Sequence, residues 1–569
     1  MKKNFFKIIS VGLLANVAMI NGSFAAPLTK TAQLDYVPAN TTVFSTILGG
    51  FPVKDYLTNL NAGLLFNTDP KDIETIMNSD RFEGDGGIRF LVSIVDSYQS
   101  SAENPIDIIK LFGLGDDVSS LFYTVDYAPV IKYSAANPDA IWNILAKAEK
   151  DSGIQGVKES LDGVEYTSYK LNFEEDIMVD LVVSTNDGWV TITLKKPDAQ
   201  NSHLKIALGI EKPEKSLNQT DILQKINDKY GFDGKLIGFL NHKRILELLT
   251  EDKSHALFDL EIGRKNKELL TDSCKTELGQ IVESWPRTVV GTTHTEITQN
   301  FISDQRRFII EMNDRPTIDA LMNLRGNIPS FTAGSAGQIF SLAVGLNVDK
   351  LAPSLTKIWS GIVQTKYECK PLVEMQKELG GANPAMLGMF AGMAGGVNGV
   401  NLSVFDLDFK ASKKKPEITM LDALLSLSVE NPTSQLIRMS MMKPILATLI
   451  LADDGTEVEL NKHIPELNEL GGKTMMAASG KHLNIYQGEK AKAVSVALKT
   501  EEIDNNGFMR LFMDMGPLMK LIVKAEAITG KFGPTNFEIL TDVDLKGGFD
   551  IDFTEYGVEI TSDSKIIKK

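Results

Sequence analysis

Thr42-Val43-Phe44-Ser45-Thr46-Ile47-Leu48 and Ile339-Phe340-Ser341-Leu342-Ala343-Val344 share an order, a β-branched residue followed by Phe and Ser. Each runs into an amphipathic helical pattern, Val53 to Leu60 after the first and Val348 to Ile358 after the second. A shorter instance, Leu236-Ile237-Gly238-Phe239-Leu240, leads into Ile245 to Leu249. Strand-helix units recur by chance in α+β chains, so the pattern alone leaves duplication open. Taken as a repeat, it predicts an α+β fold of antiparallel sheets covered by helices, in two weakly related halves, residues 26–310 and 311–569.

Working outward, the periodicity predicts helices at Asp139 to Ala148, Ile222 to Tyr230, Thr317 to Leu324 and Phe508 to Ala525, the last bent at Gly516-Pro517. Pro384 to Phe405 reads as a packed helix running into a strand. The clearest hairpin pairs Ile177 to Ser184 with Trp189 to Leu194 across Asn186-Asp187-Gly188, residues that tolerate positive φ. At the carboxy terminus Phe537, Ile539, Val543, Leu545, Phe549, Ile551, Phe553, Val558 and Ile560 fall on one side of three predicted strands, with turns at Gly547-Gly548 and Tyr556-Gly557. Their other side carries Glu538, Asp542, Asp544, Asp550, Asp552 and Glu559, the expected look of a solvated face. This meander is expected to pack against the Phe508 to Ala525 helix.

Lys2, Lys3 and Lys7 precede a run from Ile8 to Ile20 that is apolar apart from Ser10 and Asn16. With Ser23 and Ala25 two apart, this predicts a signal peptide, residues 1–25, cleaved between Ala25 and Ala26. The apolar run is too short for a bilayer span, which takes about 20 residues. No Cys stands at the cleavage point to take a lipid. The expectation is therefore a free protein in the periplasm or secreted, without a transmembrane anchor. Losing three lysines takes 59 basic residues to 56 against 74 acidic ones, and the net charge from -15 to -18. Nucleic acid is excluded as a partner, because so acidic a chain without a basic stripe is repelled by phosphate backbones and by anionic lipid surfaces. The two cysteines, Cys274 and Cys369, most simply form one disulfide in an oxidising compartment, the alternative being two separately buried thiols.

Several marks along the chain resemble a family of uncharacterised exported proteins of Gram-negative bacteria. They are Tyr36-Val37-Pro38-Ala39-Asn40-Thr41, Tyr230-Gly231-Phe232-Asp233-Gly234, Cys274, Trp285-Pro286-Arg287 with Gly291, Gly345-Leu346, Cys369 and Pro384-Ala385-Met386. The family usually has Asp at the position of Asn40. The resemblance implies export and pairing of Cys274 with Cys369, and no particular chemistry.

Patterns that could carry chemistry are few. Ala333-Gly334-Ser335-Ala336-Gly337 resembles the small-residue turn around a nucleophilic serine, but it follows Pro329 and precedes a strand where that turn follows a strand and opens a helix. His463 or His482 could act as its base only through long-range pairing. The six histidines His203, His242, His255, His294, His463 and His482 include no pair at helical spacing, so a zinc site is not expected. Asp542/Asp544 and Asp550/Asp552 could approach one another and hold calcium, though a solvated acidic face is the plainer reading. No glycine-rich phosphate loop is present.

Methionines are biased, 14 of 20 lying from Met375 onward, which leaves three competing readings: core filling, a copper(I) site, or an adaptable apolar groove. The groove would draw on a helix with Met386, Met389 and Met393 and on Met509, Met513 and Met519 of the Phe508 to Ala525 stretch. The functional expectation is a non-catalytic envelope protein without cofactor that binds a lipid, another apolar ligand or an envelope partner protein. The alternative is an envelope hydrolase whose site the sequence does not reveal.

Overall fold

The computed structural model describes residues 31–59, 86–101, 104–174, 177–197, 202–250, 267–298, 300–381, 384–388, 392, 394–411, 417–452, 455–529 and 543–568. The expected signal peptide and its Ala25–Ala26 junction lie outside these residues, as do His255, Met389, Met393, Phe537, Ile539 and Asp542. The chain is mixed α and β, and the strand pairs given below are all antiparallel. It divides into two compact units at Phe308/Ile309. No helix among the described residues is long and apolar enough to cross a membrane.

The first unit holds β1 (Val43–Phe51), β2 (Val118–Val125), β3 (Ala128–Ser134), β4 (Val157–Leu161), β5 (Val164–Glu174), β6 (Ile177–Asn186), β7 (Trp189–Lys195), β8 (Leu236–Asn241) and β9 (Arg287–Ile297), with β10 (Phe301–Glu311) following. Their lateral order is β4-β5-β6-β7-β3-β2-β1-β8-β9. Asp126, Asp162 and Asp187 take positive φ at the hairpin tips, the latter two followed by Gly163 and Gly188, also at positive φ. Such pairs match the twist of the strands they join, which is why the Asp187-Gly188 turn was legible in sequence.

The helices of this unit are α1 (Val53–Asn59), α2 (Gly86–Ser101), α3 (Pro105–Phe112), α4 (Ile141–Ser152), α5 (Ser202–Ala207), α6 (Ile222–Tyr230), α7 (His242–Thr250) and α8 (Asp272–Ser284). Phe90 of α2 and Ile144, Leu145 and Ala148 of α4 close one sheet face with Tyr169, Leu171, Leu181, Val183 and Val190. Gly87 lets α2 come down on the Asn172 backbone, where a Cβ would stand 2.8 Å from the carbonyl oxygen.

The second unit holds β11 (Phe340–Val344), β12 (Val397–Lys410), β13 (Glu417–Val429), β14 (Val458–Glu459), β15 (Met475–Ser479), β16 (His482–Gln487), β17 (Met509–Asp514), β18 (Val543–Thr554) and β19 (Gly557–Lys568). The order is β14-β15-β16-β13-β12-β11-β17-β18. Its helices are α9 (Arg315–Met322), α10 (Val348–Val363), α11 (Lys370–Gly380), α12 (Pro432–Met442), α13 (Glu489–Ala497) and α14 (Met515–Thr529). Cys274 in α8 and Cys369 at the N-cap of α11 are disulfide-bonded and fully buried.

Three sequence expectations fail here for physical reasons. Phe508 to Ala525 is not one bent helix: Met509 to Asp514 is a strand, because β11 has a second edge to fill, and Gly516-Pro517 lies in the first turn of α14, where proline is tolerated. Gly547-Gly548 is not a turn. Both lie inside β18, Gly547 close against the Asp563 backbone and Gly548 against that of Leu511, where any Cβ would collide. The acidic face is not simply solvated either. Asp550 receives a two-pronged hydrogen bond from Arg510 at 2.8 and 2.7 Å, and Asp552 one from Arg325 at 2.8 and 2.8 Å.

Candidate functional site

In an antiparallel ladder, paired residues share a face, and so do residues two apart on one strand. The pairings Leu342–Leu402, Leu342–Leu511, Leu402–Leu425, Leu425–Ile485 and Leu511–Phe549 therefore put Phe549, Leu511, Leu342, Leu402, Leu425 and Ile485 in one row across six strands. At a strand spacing of about 4.8 Å the row is about 24 Å long. Flanking rows on the same face add Phe340, Val404 and Met513 on one side and Val344, Val400 and Met509 on the other. In the middle of this sheet Val400, Leu402 and Leu425 remain 37, 43 and 38% exposed.

The opposite face carries Ser341, Asn401, Ser403, Ser426, Ser428, His482 and Asn484, all fully or almost fully buried. Ser341 Oγ and Ser403 Oγ lie 2.8 Å apart, and Asn401 Nδ2 donates to both at 3.1 Å. Asn327 Nδ2 donates to Ser428 Oγ at 2.9 Å, and Ser428 Oγ lies 3.3 Å from His482 Nδ1. Asn484 Nδ2 donates to Ser495 Oγ of α13 at 3.0 Å. Helix α13 is itself pinned over this face by Asp422, whose carboxylate accepts from the Lys490 and Ala491 amides at 3.0 and 2.8 Å. Burial drives the His482 pKa down to about 4, so the ring is neutral at pH 7.

This arrangement inverts the usual order. A sheet with one open face normally turns its polar side to water, whereas here the covered face holds these polar residues beside Leu424, Phe405 and Tyr486, which pack on Ala491 of α13, and the open face is apolar. Among the described residues the apolar face is capped toward β15 and β16, where Leu436 of α12 and Leu446, Leu449 and Leu451 of the segment after it pack on Leu427, Leu483 and Met476.

The methionines singled out in sequence separate. Met509 and Met513 lie on the open face from β17, half-buried, and Met519 is buried in α14. Met386 is exposed on the short 3-10 turn Pro384–Met386 after α11. An open cleft of about 340 Å³ lies elsewhere in this unit, lined by Phe331, Ala336, Lys490, Val494, Leu498 and Glu501 among others, and by none of these methionines.

Ser335 is exposed on the turn between Ala333 and Phe340, not at a strand-to-helix corner. No hydrogen bond links it to a histidine among the described residues. His482 is held by Ser428, and His463 Nδ1 lies 3.1 Å from Thr448 Oγ1. The arginine forks on Asp550 and Asp552 occupy two of the four carboxylates considered for calcium, and among the described residues no three His, Cys, Asp or Glu side chains gather as a metal would need. In the first unit, burial without a carboxylate partner among the described residues pushes Lys132 down to about 8. Its Nζ lies 5.6 Å from the Tyr36 ring centroid.

Several of the residues behind the expected resemblance have structural work. Thr41 Oγ1 ties to the Val43 and Thr124 carbonyls at 2.8 and 2.9 Å, fastening the start of β1. Phe232 packs on Gly291, and Asp233 accepts from Thr292 Oγ1 at 2.5 Å. Gly345 lies against the Gly326 and Gly507 backbones.

Sequence reasoning missed Val400, Leu402 and Leu425. The signal was present, since Val400, Leu402 and Val404 alternate with Asn401 and Ser403, and Leu425 and Leu427 with Ser426 and Ser428. Polar positions filled by Ser and Asn, never by Lys or Glu, indicate a polar face destined for the interior. The chain matches no protein-family model, and no curated protein or solved structure is similar to it.

Proposed function

We propose that this chain is a non-catalytic exported protein of the bacterial envelope, freed of residues 1–25, that binds a chain-like apolar ligand along the open face of its second sheet. The single observation that carries the reading is the open apolar face, with Val400, Leu402 and Leu425 exposed at the centre of the sheet while its other face is covered. Exposed apolar area of this kind is unfavourable in water and is retained where something covers it. Met509 and Met513 suit the role, because unbranched thioethers adjust to ligands of differing shape. The export segment and the family marks support an envelope location.

The same proposal treats the halves as related. In each unit a central strand, β1 or β11, pairs with β2 or β12 on one side and β8 or β17 on the other. The sheet then continues through β3 and β7 in one unit, β13 and β16 in the other. Phe44 pairs with Tyr123 and Phe239 where Phe340 pairs with Val404 and Met513. Phe44, Leu121, Tyr123 and Ile237 are fully buried. The corresponding face is thus closed in the first unit and open in the second, as expected if one copy is structural and the other binds.

The test is titration of the full mature chain with a fluorescent polyene fatty acid, alongside mass spectrometry of lipids retained on purification. Leu402→Asp with Leu425→Asp is expected to weaken binding at least about tenfold, since each loses a buried contact worth more than 1.4 kcal/mol. Val157→Asp, at an exposed apolar position of the first unit, should bind as the wild type does. Equal affinity in all three proteins would sink the reading.

A further inference from the structure

We infer that residues 437–450 form a bilayer-contacting edge, inserted into a phospholipid surface by its apolar side chains. Asn431 caps α12 by accepting from the Ser434 amide at 2.8 Å, with Pro432 at the first helical position. Leu436 of that helix points into the core. Ile437 and Met441, four residues apart and so on one face, point outward at 57 and 78% exposure. After Lys443 the chain turns through a short 3-10 helix, Pro444–Thr448. Leu446, Leu449 and Leu451 go inward there, while Ile445 and Ile450 stand out, Ile450 at 90% exposure. The inward leucines suffice to hold the segment down. Packing gives no reason for isoleucine at 437 and 450.

The charge pattern names the occupant. From Asn431 to Ala452 the chain has no Asp or Glu, although it carries 74 in all. The cations of that stretch are Arg438, which donates to the Gly395 carbonyl, and Lys443, which is exposed. A cluster of outward apolar side chains without acids, with one lysine beside them, fits the boundary between acyl chains and phosphates, with Lys443 reaching the phosphate level. The net charge, -18 without residues 1–25, opposes long-range attraction to an anionic surface. Insertion rather than charge must therefore provide the contact, and zwitterionic lipid is the preferred surface. The same segment caps one end of the open sheet face, so contact there sets that face beside the bilayer. The inference does not depend on what the face binds.

The experiment is flotation of the full mature chain, without added ligand, on phosphatidylcholine–phosphatidylethanolamine vesicles. The wild type is expected to float. Ile437→Ser with Met441→Ser and Ile450→Ser should lower the partition coefficient at least about tenfold, the loss expected from removing three partly inserted side chains. Lys443→Glu should lower it as well. Leu402→Asp with Leu425→Asp should float like the wild type, which separates this inference from the ligand site. All exchanged positions are exposed, and unchanged circular dichroism verifies folding. A wild type that stays with the pellet overturns the inference, as does a triple variant that floats equally well. So does a wild-type dimer that the triple variant converts to monomer, which would make the patch an interface between copies.

Discussion

Replacing Lys132 with methionine should stabilise the first unit at neutral pH and lose that advantage as pH rises. Lys132 is 4% exposed on the face of β3 that α5 and its neighbours cover, and burial lowers its pKa from 10.5 to about 8. A base whose folded pKa is depressed binds its proton less tightly in the folded chain than in the unfolded one. Between pH 8 and 10.5 the unfolded chain therefore holds more protons, and wild-type stability rises with pH across that window. The penalty at pH 7 is about 3 kcal/mol, and at pH 9.5 about half of that remains. Methionine keeps the apolar stem but forfeits the contact of the ammonium with the Tyr36 ring, about 1 kcal/mol. The net gain at pH 7 is thus about 2 kcal/mol. Urea unfolding of wild type and Lys132→Met, followed at pH 7, 8 and 9.5, measures the difference directly, because other titrating groups cancel. A Lys132→Met protein less stable than wild type, by an amount that does not change with pH, would refute the argument. It would mean that the ammonium is satisfied where it lies.

His482 makes the opposite end of the pH range informative. Its folded pKa is depressed to about 4, so the unfolded chain takes up the proton first. The second unit should lose about 3 kcal/mol of stability as pH falls from 6.5 to 4, and His482→Gln should flatten that slope. An unchanged slope in acid unfolding of the variant would assign the loss to other groups. Arg325→Leu leaves the carboxylate of Asp552, whose pKa burial already raises, without its fork, and should cost about 2 kcal/mol in the unfolding midpoint. Adding Asp552→Leu should recover most of that loss, and a double variant as unstable as the single one would count against the pair.

Local chemistry was legible where neighbours in sequence are neighbours in space. The β6–β7 hairpin could be read because Asp187-Gly188 supplies both positive φ angles of its own turn. The strand at β11 could be read because its alternation lies within a few residues. Where the partner is remote, the same rules misled. Met509, Leu511 and Met513 meet the period of a strand, and with Leu518, Met519 and Ile522 also that of a helix. Only the free edge of β11, more than 160 residues upstream, decides between the two. Asp550 and Asp552 looked solvated because Arg510 and Arg325 lie 40 and 227 residues away.

The open face is the most instructive of these cases. A two-letter reading of polar and apolar residues assigns β12 and β13 a wet side at Asn401, Ser403, Ser426 and Ser428, and a dry side at Val400, Leu402 and Leu425. Charge distinguishes what polarity alone cannot. A neutral amide or hydroxyl can be buried at little net cost if a neighbouring strand supplies its hydrogen bond, whereas a buried ion without a partner is expensive. Ser341, Asn401 and Ser403 satisfy one another from β11 and β12, and Asn484 Nδ2 donates to Ser495 of α13, while Asn484 Oδ1 and Ser426 Oγ are buried without a partner among the described residues. A sheet face that carries such residues beside apolar ones, here Leu424, Phe405 and Tyr486, can therefore be sealed under a helix. Once it is sealed, the leucines on the other side of the same strands have only one direction left to point. Whether they meet water or a ligand then depends on how far the chain's own helices extend across them, and the described helices leave Val400, Leu402 and Leu425 exposed.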